Sequence, residues 1–410
     1  MKKNIILFLF LFNITCFSQR QYDIIVSTDG SGNFKTITEA ILSLPMFNYR
    51  RVVIYIKNGT YNEKIRIEQD YVTLKGEDRE KTKIVFSQLR EDWNKNMDVI
   101  GPGVINIYGD DIILENLTIE NAQPQVGPHA FAIYGFGTRT IICNCNVISK
   151  GGDTVSLWDY KTGMYYHANC YFEGAVDFVC PRGWCFIRDS KFYEVKETAS
   201  IWHAGSYDKS QKFVIVNSRF DGVKNFELGR HHYESQFYLI NCSFSKNMAD
   251  KPIYRVTYKD DPSRDRQFIW GPRYYFYNCK GDSVNYDWFK NNLNEAEGSP
   301  RPEEINPKWT FNNQWDPESN LPVALKNYFM INNLLILQFE EPVTVIGKPI
   351  FKTDNGLTFQ FNLGGENDTI QLIADKNFTK DDLKGLKIIN ESKIISSIAS
   401  IHERNIALSF

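Results

Sequence analysis

The sequence lacks a charge surplus of either sign: 47 Lys and Arg stand against 49 Asp and Glu, a formal net charge of -2 over 410 residues. That balance excludes the basic surface of a nucleic-acid binder and the acidic block of a disordered tail. It also lacks any CxxC pair or Cys/His cluster at metal-ligand spacing, so no metal centre is expected. No apolar run beyond the N-terminus reaches membrane-spanning length. Histidine is scarce, six in all, with none between His232 and His402. Apolar and aromatic residues are plentiful, including 22 Tyr and 29 Phe, enough for one large core and a smaller one.

The first residues, M-K-K-N-I-I-L-F-L-F-L-F-N-I-T-C-F-S-Q, carry two lysines, an apolar stretch from Ile5 to Phe12, and small or polar residues before Gln19. This reads as a signal peptide over residues 1–18, cleaved after Ser18, which implies a secreted protein, periplasmic or extracellular. Cys16 offers the alternative of a lipoprotein anchor, although Asn13 and Thr15 flank it poorly. Removing Cys16 leaves seven cysteines, most in strand-like apolar contexts, and these read as buried thiols.

A short pattern recurs through the middle of the chain: N-L-T-I at 116, N-C-N-V at 144, N-C-Y-F at 169, D-S-K-F at 189, N-S-R-F at 217, N-C-S-F at 241 and a weaker N-C-K-G at 278. The intervals are 28, 25, 20, 28, 24 and 37 residues. Units this short must bury their apolar faces on one another, as in a solenoid. Strand-like stretches such as F-V-I-V-N-S-R-F indicate β-rungs and hence a right-handed parallel β-helix, with the Asn and Cys stacked. An antiparallel sandwich of about ten strands is the alternative, and the 37-residue interval marks a loop thrown out from one rung. Residues 29–45 differ: a glycine turn, then Ile37, Ala40, Ile41 and Leu44 at helical spacing, closed by Pro45, predict a short helix capping the open end of the coil. From about residue 322 the markers stop and apolar alternation resumes, predicting a β-sandwich module over 321–410 after a coil over 19–320.

With a period near 24, residues that far apart stack on neighbouring rungs, ~4.8 Å apart. His129, Asp153 and Asp177 are separated by 24 and 24 residues. Two carboxylates side by side push their pKa values apart, so one stays protonated while the other is ionised; the pair suits an acid with a base or with a nucleophile. Asp153 in K-G-G-D-T also fits a plain turn residue. Arg230, from a later rung, is placed to pair with Asp177, or to form a surface ion pair. His203, His231 and His232 fall in segments that the repeat brings near the aspartates. Trp158, Trp184 and Trp202 lie in the same region, where flat rings suit sugars or core packing.

These residues resemble the pectin methylesterases, carbohydrate esterases built on the parallel β-helix, with this chain as a divergent member of bacterial type. The similarity runs over residues 24–317: D-G-S-G-N-F-K-T-I-T-E-A-I at 29, I-Y-I-K-N-G-T-Y-N-E-K-I at 54, H-A-F-A-I at 129 for the family's QAVAL, G-D-T-V at 152 for QDTL, V-D-F-V-C at 176 for VDFIF, and L-G-R-H-H at 228 for LGRPW. The resemblance implies Asp177 as nucleophile, Asp153 as acid and then base, and Arg230 as the group holding the nucleophile. The family's two oxyanion glutamines are replaced by His129 and Gly152. His129 is the expected substitute donor, while Gly152 offers a backbone N–H or more room. His232 replaces the family's tryptophan, and Arg182 and Trp184 in C-P-R-G-W are expected to shape a substrate site particular to this chain.

The expected function is a secreted, cofactor-free, monomeric esterase that removes methyl groups from pectin or a related uronate glycan. A non-catalytic glycan-binding protein and a lyase or glycoside hydrolase on the same fold are the alternatives.

Overall fold

A computed structural model describes residues 22–205, 208–365 and 367–410. The expected signal peptide and Cys16 lie outside the described residues. From Ile24 to Gly281 the chain winds as a right-handed parallel β-helix with three faces. One face is a ten-stranded sheet running from Ile24–Val26 to Tyr274–Tyr277, and a second has nine strands, from Gly59–Tyr61 to Lys280–Gly281. The third face comes in two pieces, four strands from Ile65–Ile67 to Val155–Leu157 and three from Ala199–Trp202 to Tyr254–Arg255. All the strand pairs of the coil are parallel, which excludes the antiparallel sandwich for this part of the chain.

The repeated Asn or Asp makes the bend between the first two faces. Asn116, Asn144, Asn169, Asp189, Asn217, Asn241 and Asn278 have φ of 60°, 54°, 53°, 51°, 49°, 53° and 50°. This left-handed conformation costs most L-residues energy, and Asn and Asp are among those that tolerate it best. Their side chains also bond up the coil: the Asn144 amide donates to Asn116 Oδ1 at 2.6 Å, Asn169 to Asn144 at 2.9 Å, Asn241 to Asn217 at 3.1 Å and Asn278 to Asn241 at 2.8 Å.

The next residue of each marker points inward. Cys145, Cys170 and Cys242 are buried, and their thiols donate to Leu114, Ile142 and Ile215 carbonyls at 3.4–3.5 Å. All seven cysteines of the described residues are free thiols. The marker's closing aromatic stacks in register, Phe172 on Phe192, Phe220 and Phe244, with successive centroids 5.4, 4.4 and 5.8 Å apart. Such pairs add about 0.5–1.5 kcal/mol each beyond the area they bury.

The expected cap is a helix over Ile37–Leu42 with a Thr36–Glu39 capping box, and Glu63 accepts the N–H groups of Ile37 and Thr38. Ile37, Ala40 and Ile41 are buried on the coil, whereas Leu44 lies past the helix end. After the helical turn at Pro307–Thr310 come a seven-stranded mixed sheet and a two-stranded one, Val343–Ile346 with Lys393–Ser396. This part docks on the side of the coil through buried polar groups. Arg51 donates to the Ser397 carbonyl at 2.7 Å, Asp111 accepts from the Ala399 N–H at 3.0 Å, and the Trp315 indole donates to the Ala399 carbonyl at 2.9 Å. Among the described residues no helix is long and apolar enough to cross a membrane.

The Asn ladder predicts separable penalties. Asn144→Gly keeps the left-handed bend and loses the ladder bonds, while Asn144→Ala also strains the backbone. Urea unfolding is expected to show Ala less stable than Gly by about 1–2 kcal/mol; equal midpoints would mean that the bend does not select Asn.

Candidate active site

The break in the third face lies where Val176 and Asp177 sit. Both have left-handed φ, 43° and 58°, and isolated bridges, Val155 to Val179, Val179 to Ile201 and Arg182 to Ala204, take the place of a continuous strand between the two pieces of sheet. Left-handed φ at a β-branched residue is strained, and here it turns the Asp177 side chain out of the core pattern at the rim of a cleft. Behind the turn, Thr198 Oγ1 accepts the Val176 N–H at 3.1 Å, and the Asp177 N–H donates to the Ala199 carbonyl at 2.6 Å. Glu194 is fully buried beneath, its carboxyl pushed up to about 9 chiefly by burial.

Arg230 grips Asp177 with two nitrogens, Nε donating to Oδ1 at 2.9 Å and Nη2 to Oδ2 at 2.9 Å. The strand Glu227–His231 sets this reach, since Arg230 stands in register with Trp202 and Gly229 with Ile201. At Gly229 a Cβ would approach Ile201 Cγ1 to 2.7 Å, so the close stacking requires glycine. Burial raises the Asp177 pKa, and the hydrogen bonds and charge of Arg230 oppose the rise. Burial works against the charge of Arg230 too, but Asp177 outweighs it and the guanidinium pKa is raised.

Asp153 sits one rung below, with φ of 57° and its N–H donating to the Val176 carbonyl at 3.1 Å. Its side chain is 14% exposed. Burial, and then the charge of Asp177, push its carboxyl up to about 8 against the pull of Arg90, Arg182 and Arg230. The predicted 24-residue step therefore holds between these two rungs, as the Val155–Val179 bridge shows. It does not hold below them: His129 pairs with Gly152, one residue short, because Ile133 aligns with Val155 and the register slips. His129 Nε2 still lies 3.7 Å from Asp153 Oδ2. Burial, with Arg90 and Arg230, lowers the His129 pKa to about 4, so at neutral pH the ring is neutral and keeps one N–H to donate.

Gly152 supplies neither of the things expected of it. Its N–H donates to the Pro128 carbonyl at 3.1 Å, and a Cβ there would meet the Val176 and Gly127 carbonyl oxygens at 3.1 and 3.3 Å.

Asp153, Asp177, Arg230 and His129 line one cleft of about 320 Å³ together with Trp158, Arg182, Trp202 and His232. Arg182 lies between two of the predicted tryptophans, its guanidinium carbon 4.4 Å from the Trp158 ring and 5.4 Å from the Trp202 ring. The Trp202 indole donates to His232 Nδ1 at 2.8 Å. Three predicted residues fall elsewhere. His203 is fully buried against Phe213 and Phe237, bonded to the Gly183 carbonyl at 2.7 Å. His231 is also fully buried, held by the Tyr233 carbonyl and the Tyr274 hydroxyl. Alternation along the strand turns His231 inward between the outward Arg230 and His232. Trp184 packs on the ten-stranded face, donating to the Ser210 carbonyl at 3.2 Å.

The sequence reading missed Arg90, which lines the cleft from the helix Arg90–Lys95, where its N–H donates to the His129 carbonyl at 2.9 Å. It also missed an aromatic row beside Trp158, with Tyr134 at 5.4 Å and Phe136 at 6.2 Å. Alternating aromatics in I-Y-G-F on a rung neighbouring the carboxylates were the available signal.

The coil and its carboxylate-lined cleft place the molecule among the parallel β-helix proteins. The Pectinesterase family model matches residues 23–239, more than half of the chain, and the chain belongs to that family. It is 30% identical to Pectinesterase 31 of Arabidopsis thaliana over 203 residues, 47% of this chain and 58% of that protein. It is likewise 30% identical to Pectinesterase 1 of Olea europaea over 219 residues, 50% of this chain and 57% of the relative. The chain thus spans little more than half the length of these curated relatives. Among solved structures it resembles the pectin methylesterase from carrot, with a TM-score of 0.57, 19% identity and coverage of 72% of this chain and 95% of that one. The Erwinia chrysanthemi enzyme gives a TM-score of 0.56 at 23% identity, over 72% and 98% of the two chains.

The raised Asp153 pKa has a stability consequence. Between the ordinary value of 3.8 and about 8 the folded protein holds a proton that the unfolded chain releases, so stability falls as pH rises through that window. Asp153→Asn removes the dependence. Melting temperatures of variant minus wild type are expected to increase from pH 4 to about pH 8 and then level off; a constant difference would mean that Asp153 titrates normally.

Proposed function

We propose that the chain is a carboxylic-ester hydrolase that removes methyl groups from pectin or a related uronate polysaccharide through a covalent intermediate on Asp177. The observation that carries this reading is the unequal treatment of two adjacent carboxyls, one gripped by Arg230 and the other pushed up to about 8. Family membership supports the same reading.

In the proposed reaction an Asp177 oxygen attacks the ester carbonyl carbon, and the carbonyl electrons move onto its oxygen. The His129 N–H and the Arg90 guanidinium face that oxyanion, in place of the amides that the glutamines would bring. Collapse breaks the bond to the methoxy oxygen, which takes the proton from Asp153, and methanol departs. A mixed anhydride with Asp177 remains. Asp153, now a carboxylate, takes one proton from water as the water attacks the anhydride; the bond to the Asp177 oxygen breaks, Asp177 returns as carboxylate and Asp153 as acid, and the freed uronic acid gives its remaining proton to solvent. The aromatic row and Trp202 offer faces for sugar rings.

Residues 19–320 would form the catalytic unit and 321–410 an accessory module, in a monomer exported after cleavage following Ser18. A second reading, glycan binding without turnover, draws on the committed Gly152 N–H, which leaves one backbone donor fewer for an oxyanion.

The test is methanol release from methyl-esterified pectin, with new reducing ends followed in parallel. Wild type is expected to release methanol without cutting the chain, and Asp177→Ala to lose on the order of 10³-fold or more in kcat. The kcat/KM profile is expected to rise as Asp177 ionises, above the usual carboxylate range, and to fall near pH 8 as Asp153 loses its proton. Binding with no methanol would leave the second reading, and new reducing ends would overturn both.

A further inference from the structure

The cleft continues sideways into a second cavity of about 450 Å³, and the two share Arg182, Trp202 and His232. The far wall is built by the segment in the 37-residue interval, which contributes Tyr258, Arg264 and Arg266. Arg264 lies over the Tyr258 ring at 3.8 Å, and Arg266 is 5.4 Å from the Tyr233 ring. Rings position both guanidiniums while leaving their hydrogen-bond donors unspent.

Three arginines thus converge on one hollow, and among the described residues none of the three pairs with an acid. The acids closest to them in sequence are engaged: Asp265 accepts the Tyr258 N–H at 2.8 Å, and Asp261 accepts the Ser263 hydroxyl at 2.5 Å. Arg182 Nε, moreover, is buried and has no hydrogen-bond partner among the described residues. An unmatched buried donor on a cation costs free energy that a bound anion would recover. Arg230, by contrast, is paired with Asp177.

We propose that this second cavity is a subsite for an anionic substituent, a carboxylate or a sulfate ester, on a sugar next to the one being de-esterified. The proposal rests on the esterase reading for what happens at Asp177, but the anion site itself is defined by Arg182, Arg264 and Arg266. A neutral methyl ester in this position would leave three guanidiniums uncompensated. A free uronate or a sulfated sugar satisfies them with charge-assisted bonds. The chain would then favour glycans that are esterified at one sugar and anionic at its neighbour.

The experiment compares the full chain with Arg264→Gln/Arg266→Gln and Arg264→Lys/Arg266→Lys. Methanol release is measured on fully methyl-esterified and partly de-esterified oligogalacturonides at equal ester concentration. Binding is measured by calorimetry with de-esterified oligogalacturonate and with a sulfated oligosaccharide of similar length. Wild type is expected to show the lower KM on the partly de-esterified substrate. The Gln pair should raise that KM about three- to tenfold and erase the difference between substrates, and the Lys pair should restore much of it. Binding should weaken with salt. Binding of oligogalacturonate alone assigns the carboxylate, of the sulfated sugar alone the sulfate, and of both a general anion site. If wild type released no methanol from either substrate, the esterase reading would fail while arginine-dependent binding still supported the subsite. A substrate preference unchanged by the Gln pair, or no binding of either anionic oligosaccharide, overturns the proposal.

Discussion

Parallel rungs can stack only ~4.8 Å apart, so a coil that places an acid at the same angular position on two successive rungs forces two carboxyls together. This constraint organises the cleft. Burial prevents both from being charged, and the surroundings decide which one keeps the proton. Arg230 tips the choice: its two-point grip favours the ionised form of Asp177 and leaves Asp153 to bear the combined burden of burial and a neighbouring negative charge. The single residue Gly229, flat against Ile201, is what lets that arginine stand in register two rungs up.

The coil can hold such a pair because its stability comes from elsewhere. The Asn bends, the inward thiols and the phenylalanine stack lie along the border of the other two faces, and they run unbroken through the rungs where the third face is interrupted. The strained turn at Val176 and Asp177 is therefore carried by a scaffold that does not depend on it. Buried acid chemistry is thus tolerated on one face while two faces keep a regular ladder.

Much of the coil could be read from the sequence because its determinants are local. A residue that must adopt a left-handed bend is Asn or Asp at each marker, and the neighbour facing the interior is apolar or a hydroxyl, so chemistry repeats where geometry repeats. The Asp153–Asp177 step was readable for the same reason. The step to His129 was not, since a register slip between His129 and Ile133 depends on how whole rungs pack. Face assignment limited the rest: His203 and His231 share segments with outward residues yet point into the core, and Trp184 begins a strand on another face. Arg90 carries no marker at all and reaches the cleft only because a short helix folds back against His129. The basic wall of Arg264 and Arg266 was likewise hidden in the longest interval, which spacing identifies as a loop without saying where it returns.

The division of roles between the two aspartates depends on one protonation state. Carbon-13 NMR of the aspartate carboxyl groups, titrated from pH 3 to 10 in wild type and Asp153→Asn, reads it directly. One carboxyl is expected to titrate near 8 and to disappear in the variant, while Asp177 titrates at lower pH in both. If every aspartate titrated below about 5, the two carboxyls would not be divided between acid and nucleophile.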